Sequence, residues 1–394
     1  MNNTNRPAHI PPAQTYLLSC DADGNQIISI HVKRSYCIEP SGKCVREAQQ
    51  GPLLLFNPSA NPNEFNETDI VPFKKNTDLI VMAYAWGNGE RSMTAGIRVD
   101  ALNHHYTVFG NRQVSYRGPG KYLFSPPEPF EKMGMCYENA YGGVDDSAGS
   151  PEVKHIIDMF SSHPGVYPRN PVGKGYVVYD SKARIDDLQL PNIEHPEMLL
   201  SPCNLVVGHP HNWWKAPLPW SCEWFDKSWY PRVAHYSGIP EGIPKDDSCM
   251  PEVQNGWIHA GHATQKVSME DNRFFDAHIG DAATPALVLP YMKGNETIEL
   301  RGLTPERQLN VQLPNDIPTV SLRFGGKTTK LNTVPHRVLV STIEHGVYIV
   351  WHAQWRPPKM FPRKPVKPDD GLSALVAGID VFVDNEQIKP LGSK

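Results

Sequence analysis

The chain has 394 residues, with 38 Lys+Arg against 42 Asp+Glu for a net charge of −4. That length suits one large or two medium domains. The near-even charge balance and a pI near 6.5 exclude the strongly basic face that nucleic-acid binding requires.

Hydrophobic residues make up 40% of the sequence, enough to fill a core. The 38 prolines and 30 glycines amount to about 17% of the chain, against an average of about 12%. They follow no period and interleave with aromatic and β-branched runs, the pattern of many turns joining short strands. Seven cysteines (20, 37, 44, 136, 203, 222 and 249) lack CxxC or CxxxC spacing. Free thiols in a reducing cytosol are expected, without a disulfide framework or zinc knuckle. The first residues, Met1–Pro7, are polar and show no signal-peptide core, and the longest apolar run, Leu79–Trp86, is too short to span a bilayer. The expected location is the cytoplasm, with no membrane and no nucleic acid as partner.

Residues 1–25 read as an N-terminal arm, loosely held over its first fourteen residues. A β-rich first half follows at 26–150. In it Ile28, Ile30 and Val32 alternate with Ser29, His31 and Lys33, and Leu53–Phe56 reads as a short strand. Leu79–Trp86 is apolar on both faces and predicts a central strand. Gly87-Asn88-Gly89 after it predicts a hairpin, with Ala95–Val99 and His105–Phe109 as pairing partners. Ser150-Pro151-Glu152, followed by Val153, Ile156, Ile157 and Phe160, predicts the clearest helix.

The second half, 151–355, is richer in aromatic and proline loops. Tyr236–Val253 reads as a long ordered loop. Strands are predicted at Ala286–Pro290, Glu296–Leu303, Leu309–Leu313, Thr319–Phe324, His336–Ser341 and Gly346–Trp351. Residues 356–394 form a basic linker (Arg356–Lys367) and a tail, whose Leu372–Val383 is a helix or strand able to dock on the body. The fold class these elements predict is mainly β, sandwich- or barrel-like, with few short helices and long ordered loops.

Residues able to carry chemistry are scattered. His209, His211, His259, His262 and the pair His104-His105 are the candidates for a metal, and a metal-dependent hydrolase using the first four is the competing functional class. No HExxH template accompanies them, and half-buried loop histidines are the simpler reading. No GxSxG elbow is present, and Gly118-Pro119-Gly120-Lys121 lacks the spacing and hydroxyl of a phosphate loop. Asp145-Asp146 and Asp186-Asp187 sit in turn-like contexts. No catalytic, cofactor or metal residue is assigned. Trp213, Trp214, Trp220, Trp224 and Trp229 fall within seventeen residues. They are candidates either for packing of proline-rich loops or for a recognition surface, on a protein partner or a cell-wall carbohydrate.

The stretch Phe130–Tyr176 holds the densest punctuation: Tyr137-Glu138-Asn139-Ala140-Tyr141-Gly142-Gly143-Val144-Asp145, then Asn170-Pro171-Val172-Gly173-Lys174-Gly175-Tyr176. Ordered around it stand Val32–Tyr36, Glu67–Lys74, Thr77–Val81, Val108–Arg112, Leu190–Glu194, Trp224–Arg232, Phe274–Ala277 and Tyr348–Trp351. This series, over roughly residues 26–355, resembles a domain-of-unknown-function family found in type VI secretion clusters. The stretch Val206–Trp220 departs from the glycine-rich turn expected there.

The resemblance implies an adaptor, or chaperone, that stabilises a cognate toxin effector and helps load it onto the secreted spike. It implies no cofactor and transfers no catalytic residue. On that reading the five tryptophans are the partner-binding candidates. Gly142, Gly143, Asn170, Gly173 and Asn192 are scaffold, and export alongside the effector stays open.

Overall fold

A computed structural model describes residues 12–20, 26–55, 67–71, 74–145, 165–178, 185, 187–208, 213, 215–226, 229, 232, 251–254, 257–260, 263–264, 280–357 and 378–391. The protein is mainly β, with several sheets, no closed barrel and, among the described residues, no helix of seven residues or more.

The largest sheet has seven strands. Its path runs Gln14–Cys20, Gln26–Ile38, Gly346–Trp355, Thr333–Ser341, Asn76–Met82 and Val288–Pro290, and Cys44–Arg46 also pairs with Gln26–Ile38. Neighbours are antiparallel except for Thr333–Ser341 beside Asn76–Met82. The alternation read in Gln26–Ile38 sends Ile28, Ile30 and Val32 into the core. The intervening Ser29 and His31 are buried too, because this strand has neighbours on both edges and cover on both faces.

A five-stranded sheet runs Ile193–Glu194, Leu102–Phe109, Ser92–Val99, Thr297–Arg301 and Gln308–Gln312. A four-stranded sheet runs Lys327–Leu331, Val320–Phe324, Ile379–Val383 and Glu386–Ile388. One apolar cluster joins all three sheets, through residues such as Ile30, Ile97, Ile298, Leu322 and Val381. A second, aromatic cluster gathers Val114, Tyr141, Tyr167, Tyr176, Leu190 and Trp213.

Several local expectations are corrected. Leu79–Trp86 is two strands, Asn76–Met82 and Tyr84–Glu90, divided at Ala83. Gly87-Asn88-Gly89 makes no hairpin. Asn88 (φ 50°) and Gly89 (φ 84°) form an irregularity within Tyr84–Glu90, where four steps from Trp86 to Glu90 answer two from Lys132 to Phe130. The hairpin instead turns at Asp100-Ala101, so that Ser92–Val99 pairs with Leu102–Phe109.

Leu53 and Leu54 lie outside any ladder. Leu53 donates its amide to Pro12 and Leu54 donates to the Asp69 carboxylate. Pro285 opens a 3-10 turn, Pro285–Leu287, so the predicted Ala286–Pro290 strand shortens to Val288–Pro290. The tail does dock, as the strands Ile379–Val383 and Glu386–Ile388. The helix expected from Ser150, and all but 251–253 of the loop 236–253, lie outside the described residues.

Candidate functional site

The punctuated stretch is a backbone clamp. Tyr141–Gly142 pairs in parallel with Lys174–Gly175. Buried Asn170 donates through Nδ2 to the Tyr137 carbonyl at 2.8 Å and the Tyr141 carbonyl at 3.0 Å, while its own carbonyl accepts from the Gly143 amide at 2.8 Å. Gly142 has φ 152°, and a Cβ there would stand 2.2 Å from the Asn170 carbonyl oxygen. At Gly173 a Cβ would lie 2.4 Å from Asn170 Nδ2. Asn192 repeats the device: its amide donates to Asn139 and its side chain to Phe109. Gly142, Gly143, Asn170 and Asn192 are buried, Gly173 is partly so, and their contacts are with neighbouring backbone.

Several charged residues of the ordered motifs are taken up in buried ion pairs. Asp69 accepts from Lys33 at 3.0 Å and from Arg337 at 2.8 Å. Glu67 pairs with Arg232 at 2.9 Å, Lys74 with Asp78, and Arg112 with Glu194. Arg34 binds Asp316 and Asp384. Such buried pairs fix which segments meet more than they add net stability.

The tryptophans divide. Trp213 is 2% exposed and packs against Tyr167, with the Arg169 guanidinium 5.2 Å from its ring. It is a core residue, in place of the surface contact expected of it. Half-buried Trp224 lies under the Arg337 guanidinium at 4.7 Å, and Trp229 meets Tyr137 and Phe225 edge-on. Trp214 is outside the described residues.

Trp220 differs from these. Its Nε1 donates to the His105 carbonyl at 2.6 Å, and the rings of His104 and His195 lie 4.3 and 4.1 Å from it. Burial, and then the neighbouring His195 and His105, lower the His104 pKa to about 4, so that ring is neutral. His195 opens a turn in which its carbonyl accepts from the Met198 amide and its Nδ1 from the Glu197 amide. The same turn exposes Met198 (38%) and Leu199 (43%). A fixed, half-buried indole packed against the main core therefore touches, through His195, a loop with two exposed apolar side chains, a combination suited to holding a partner's apolar surface.

A chemical group of another kind sits at the start of the clamp. Among the described residues, the donors found within 4.8 Å of one another are those of Cys136, Glu138 and Glu223. Burial raises the Cys136 thiol to about 12, helped by Glu138 and Glu223. Burial also raises Glu223 to about 7, against the Tyr137 amide that donates to it at 3.1 Å. Sequence reading missed this group, because Glu223 is remote in the chain and nothing local marks it. Of the six histidines offered for a metal, His104 and His105 lie in the strand Leu102–Phe109 and His259 in the strand Trp257–Ala260, while His209, His211 and His262 lie outside the described residues.

Residues 23–352 match the family described as "Uncharacterized protein conserved in bacteria (DUF2169)". The chain belongs to this family. The match ends within the Gly346–Trp355 strand, so the docked tail lies beyond it. No curated protein and no solved structure matches the chain.

Proposed function

We propose that this DUF2169 protein is an adaptor that binds a partner protein, and that the partner is a toxin effector of type VI secretion, kept soluble in the cytoplasm until loaded onto the spike. The observation that carries the binding role is Trp220. Its ring is already held by His105, His104 and His195, and His195 opens the turn that exposes Met198 and Leu199. An indole ordered before binding loses little conformational entropy on contact. The type VI assignment rests on the resemblance of the ordered motifs alone.

Co-expression with the product of the neighbouring reading frame tests both levels. A complex that survives gel filtration is expected, and the partner is expected to be less soluble alone. Trp220→Ala and Leu199→Asp are each expected to weaken the complex by about tenfold or more while leaving the adaptor folded. If the neighbouring product is equally soluble alone and elutes separately, the effector reading fails. If a complex forms but ignores both substitutions, the interface lies elsewhere.

A further inference from the structure

Three histidines with no part in the binding surface meet on the second face of the seven-stranded sheet. His31 stands opposite His352 in the pairing of Gln26–Ile38 with Gly346–Trp355. His336 is the extra residue where the register of Thr333–Ser341 shifts between Pro335 and Arg337. The ring centres are 4.9 Å apart for His31–His352 and 5.5 Å for the other two pairs. All three residues are at most 2% exposed. Two segments are tied over this face. Arg337 donates to the Thr68 carbonyl and to Asp69, both at 2.8 Å. Lys74 donates to the Gly280 carbonyl at 3.2 Å and pairs with Asp78 and Asp281, and Asp78 accepts the Ala282 amide at 2.9 Å.

These surroundings oppose a charged imidazole. Both nitrogens of His31, both of His336 and Nε2 of His352 have no hydrogen-bond partner among the described residues, so at these five atoms no acceptor awaits a proton. The charged groups on this face are Lys33 and Arg337 from the same strands, Asp78 from Asn76–Met82, and Asp69, Lys74 and Asp281 from the covering segments. Their carboxylates are engaged: Asp69 with Lys33 and Arg337, Asp78 and Asp281 with Lys74. Glu67, on the cover, pairs with Arg232. Beyond burial, what acts on the rings is one another, Lys74 and Arg337, and each of these resists a positive charge. His352 is lowered to about 4, and His31 and His336 stand well below the ordinary histidine value.

We propose that His31, His336 and His352 form an acid-operated latch, which with neutral rings holds the segments carrying Asp69, Lys74 and Asp281 against the sheet and with protonated rings releases them. Protonation sets up to three positive charges beside Lys74 and Arg337, the residues that tie those segments down. A histidine kept neutral in the closed form binds its proton only on opening. Opening is therefore least favoured above about 6.5, the ordinary histidine value. Below it, each ring favours opening by up to about tenfold per pH unit, until its closed-form value is reached. Three rings together reach about a thousandfold per unit, which sets the cluster apart from a single buried histidine.

The test is hydrogen exchange of the full chain from about pH 7.5 to about pH 5, with opening constants corrected for the intrinsic pH dependence of exchange. The amides followed are those of Asp69, bonded to the Leu54 carbonyl, and Ala282, bonded to Asp78. Their opening constants are expected to rise by about thirtyfold or more between about pH 6.5 and 5.5, the effect of at least two rings acting together. Those of Val320–Phe324, in another sheet, are expected to rise much less. The double variant His31→Gln/His352→Gln is expected to keep a rise of at most about fivefold, that of one ring. His345→Asn, at an exposed turn, is expected to leave the parent's rise unchanged. Should the double variant not fold, the parent decides alone: a rise smaller than about thirtyfold overturns the proposal. So does a rise that the double variant keeps in full. A rise shared equally by Val320–Phe324 also overturns it, being acid unfolding of the whole molecule.

Discussion

Glu223 shows how one side chain sets a pH dependence. Its carboxyl is raised from 4.5 to about 7 by burial, with the Tyr137 amide opposing the rise and Glu138 adding to it. A raised acid binds its proton more tightly folded than unfolded. Its contribution is therefore fully present below about 4.5 and is lost as pH rises through about 7. Each tenfold change in proton affinity corresponds to about 1.4 kcal/mol; partial exposure leaves a cost on the order of 1–2 kcal/mol above neutrality. Glu223→Gln removes that cost. Denaturant midpoints are expected to favour the variant at about pH 8 and to converge with the parent at about pH 5. A variant less stable than the parent at the higher pH would show that ionised Glu223 is held by something stronger than the Tyr137 amide.

At the scale of elements, the clamp joining Tyr141–Gly142 to Lys174–Gly175 depends on Asn170. Replacing it with alanine takes the Asn170 donor from the buried Tyr141 carbonyl, at about 1–3 kcal/mol, and leaves the Tyr137 carbonyl with the Ala140 amide. Asn170→Ala is expected to cost about 1–3 kcal/mol in denaturant unfolding, and Asn170→Asp at least as much, since a carboxylate cannot donate to either carbonyl. A loss below about 0.5 kcal/mol would mean that these carbonyls find other partners.

The sequence carried this element well, because glycine and asparagine at close backbone approaches are a local necessity. It also carried strands whose buried faces alternate, such as Gln26–Ile38. Lys327–Leu331 escaped notice because its Lys-Thr-Thr-Lys run offers no apolar face, being an exposed edge. Gly87-Asn88-Gly89 misled because its residues permit positive φ in a bulge as readily as in a hairpin, and a distant strand decides between them. For the candidate binding surface, Trp220 was legible only as one of five tryptophans. The histidines that fix it are 25 and 116 residues away, at 195 and 104, and pairing across such distances leaves no local trace.

For the whole molecule, the tail is the part that family membership does not cover and the fold nonetheless uses. Ile379, Val381, Val383 and Ile388 are buried, and Ile379–Val383 forms the neighbour of Val320–Phe324 on the side away from Lys327–Leu331. The turn between the two tail strands supplies Asp384, which binds buried Arg34 and accepts the Thr319 amide at 2.9 Å. At the far end, Thr15 donates to the Lys389 carbonyl and the Leu391 amide donates to Tyr16, tying the tail to the Gln14–Cys20 strand. Cutting the chain after Pro357 therefore uncovers Val320 and Leu322, opens an unpaired strand edge and deprives Arg34 of one of its two carboxylates. Burial of four aliphatic side chains alone contributes on the order of 5 kcal/mol. The truncated chain is expected to melt well below the full chain and to self-associate through the Val320–Phe324 edge, as read by calorimetry and light scattering. Adding back a peptide of residues 378–391 is expected to restore part of the loss, because the segment pairs through backbone bonds that need no covalent link. A truncated chain that stays monomeric and melts with the parent would show that the sheets close without the tail.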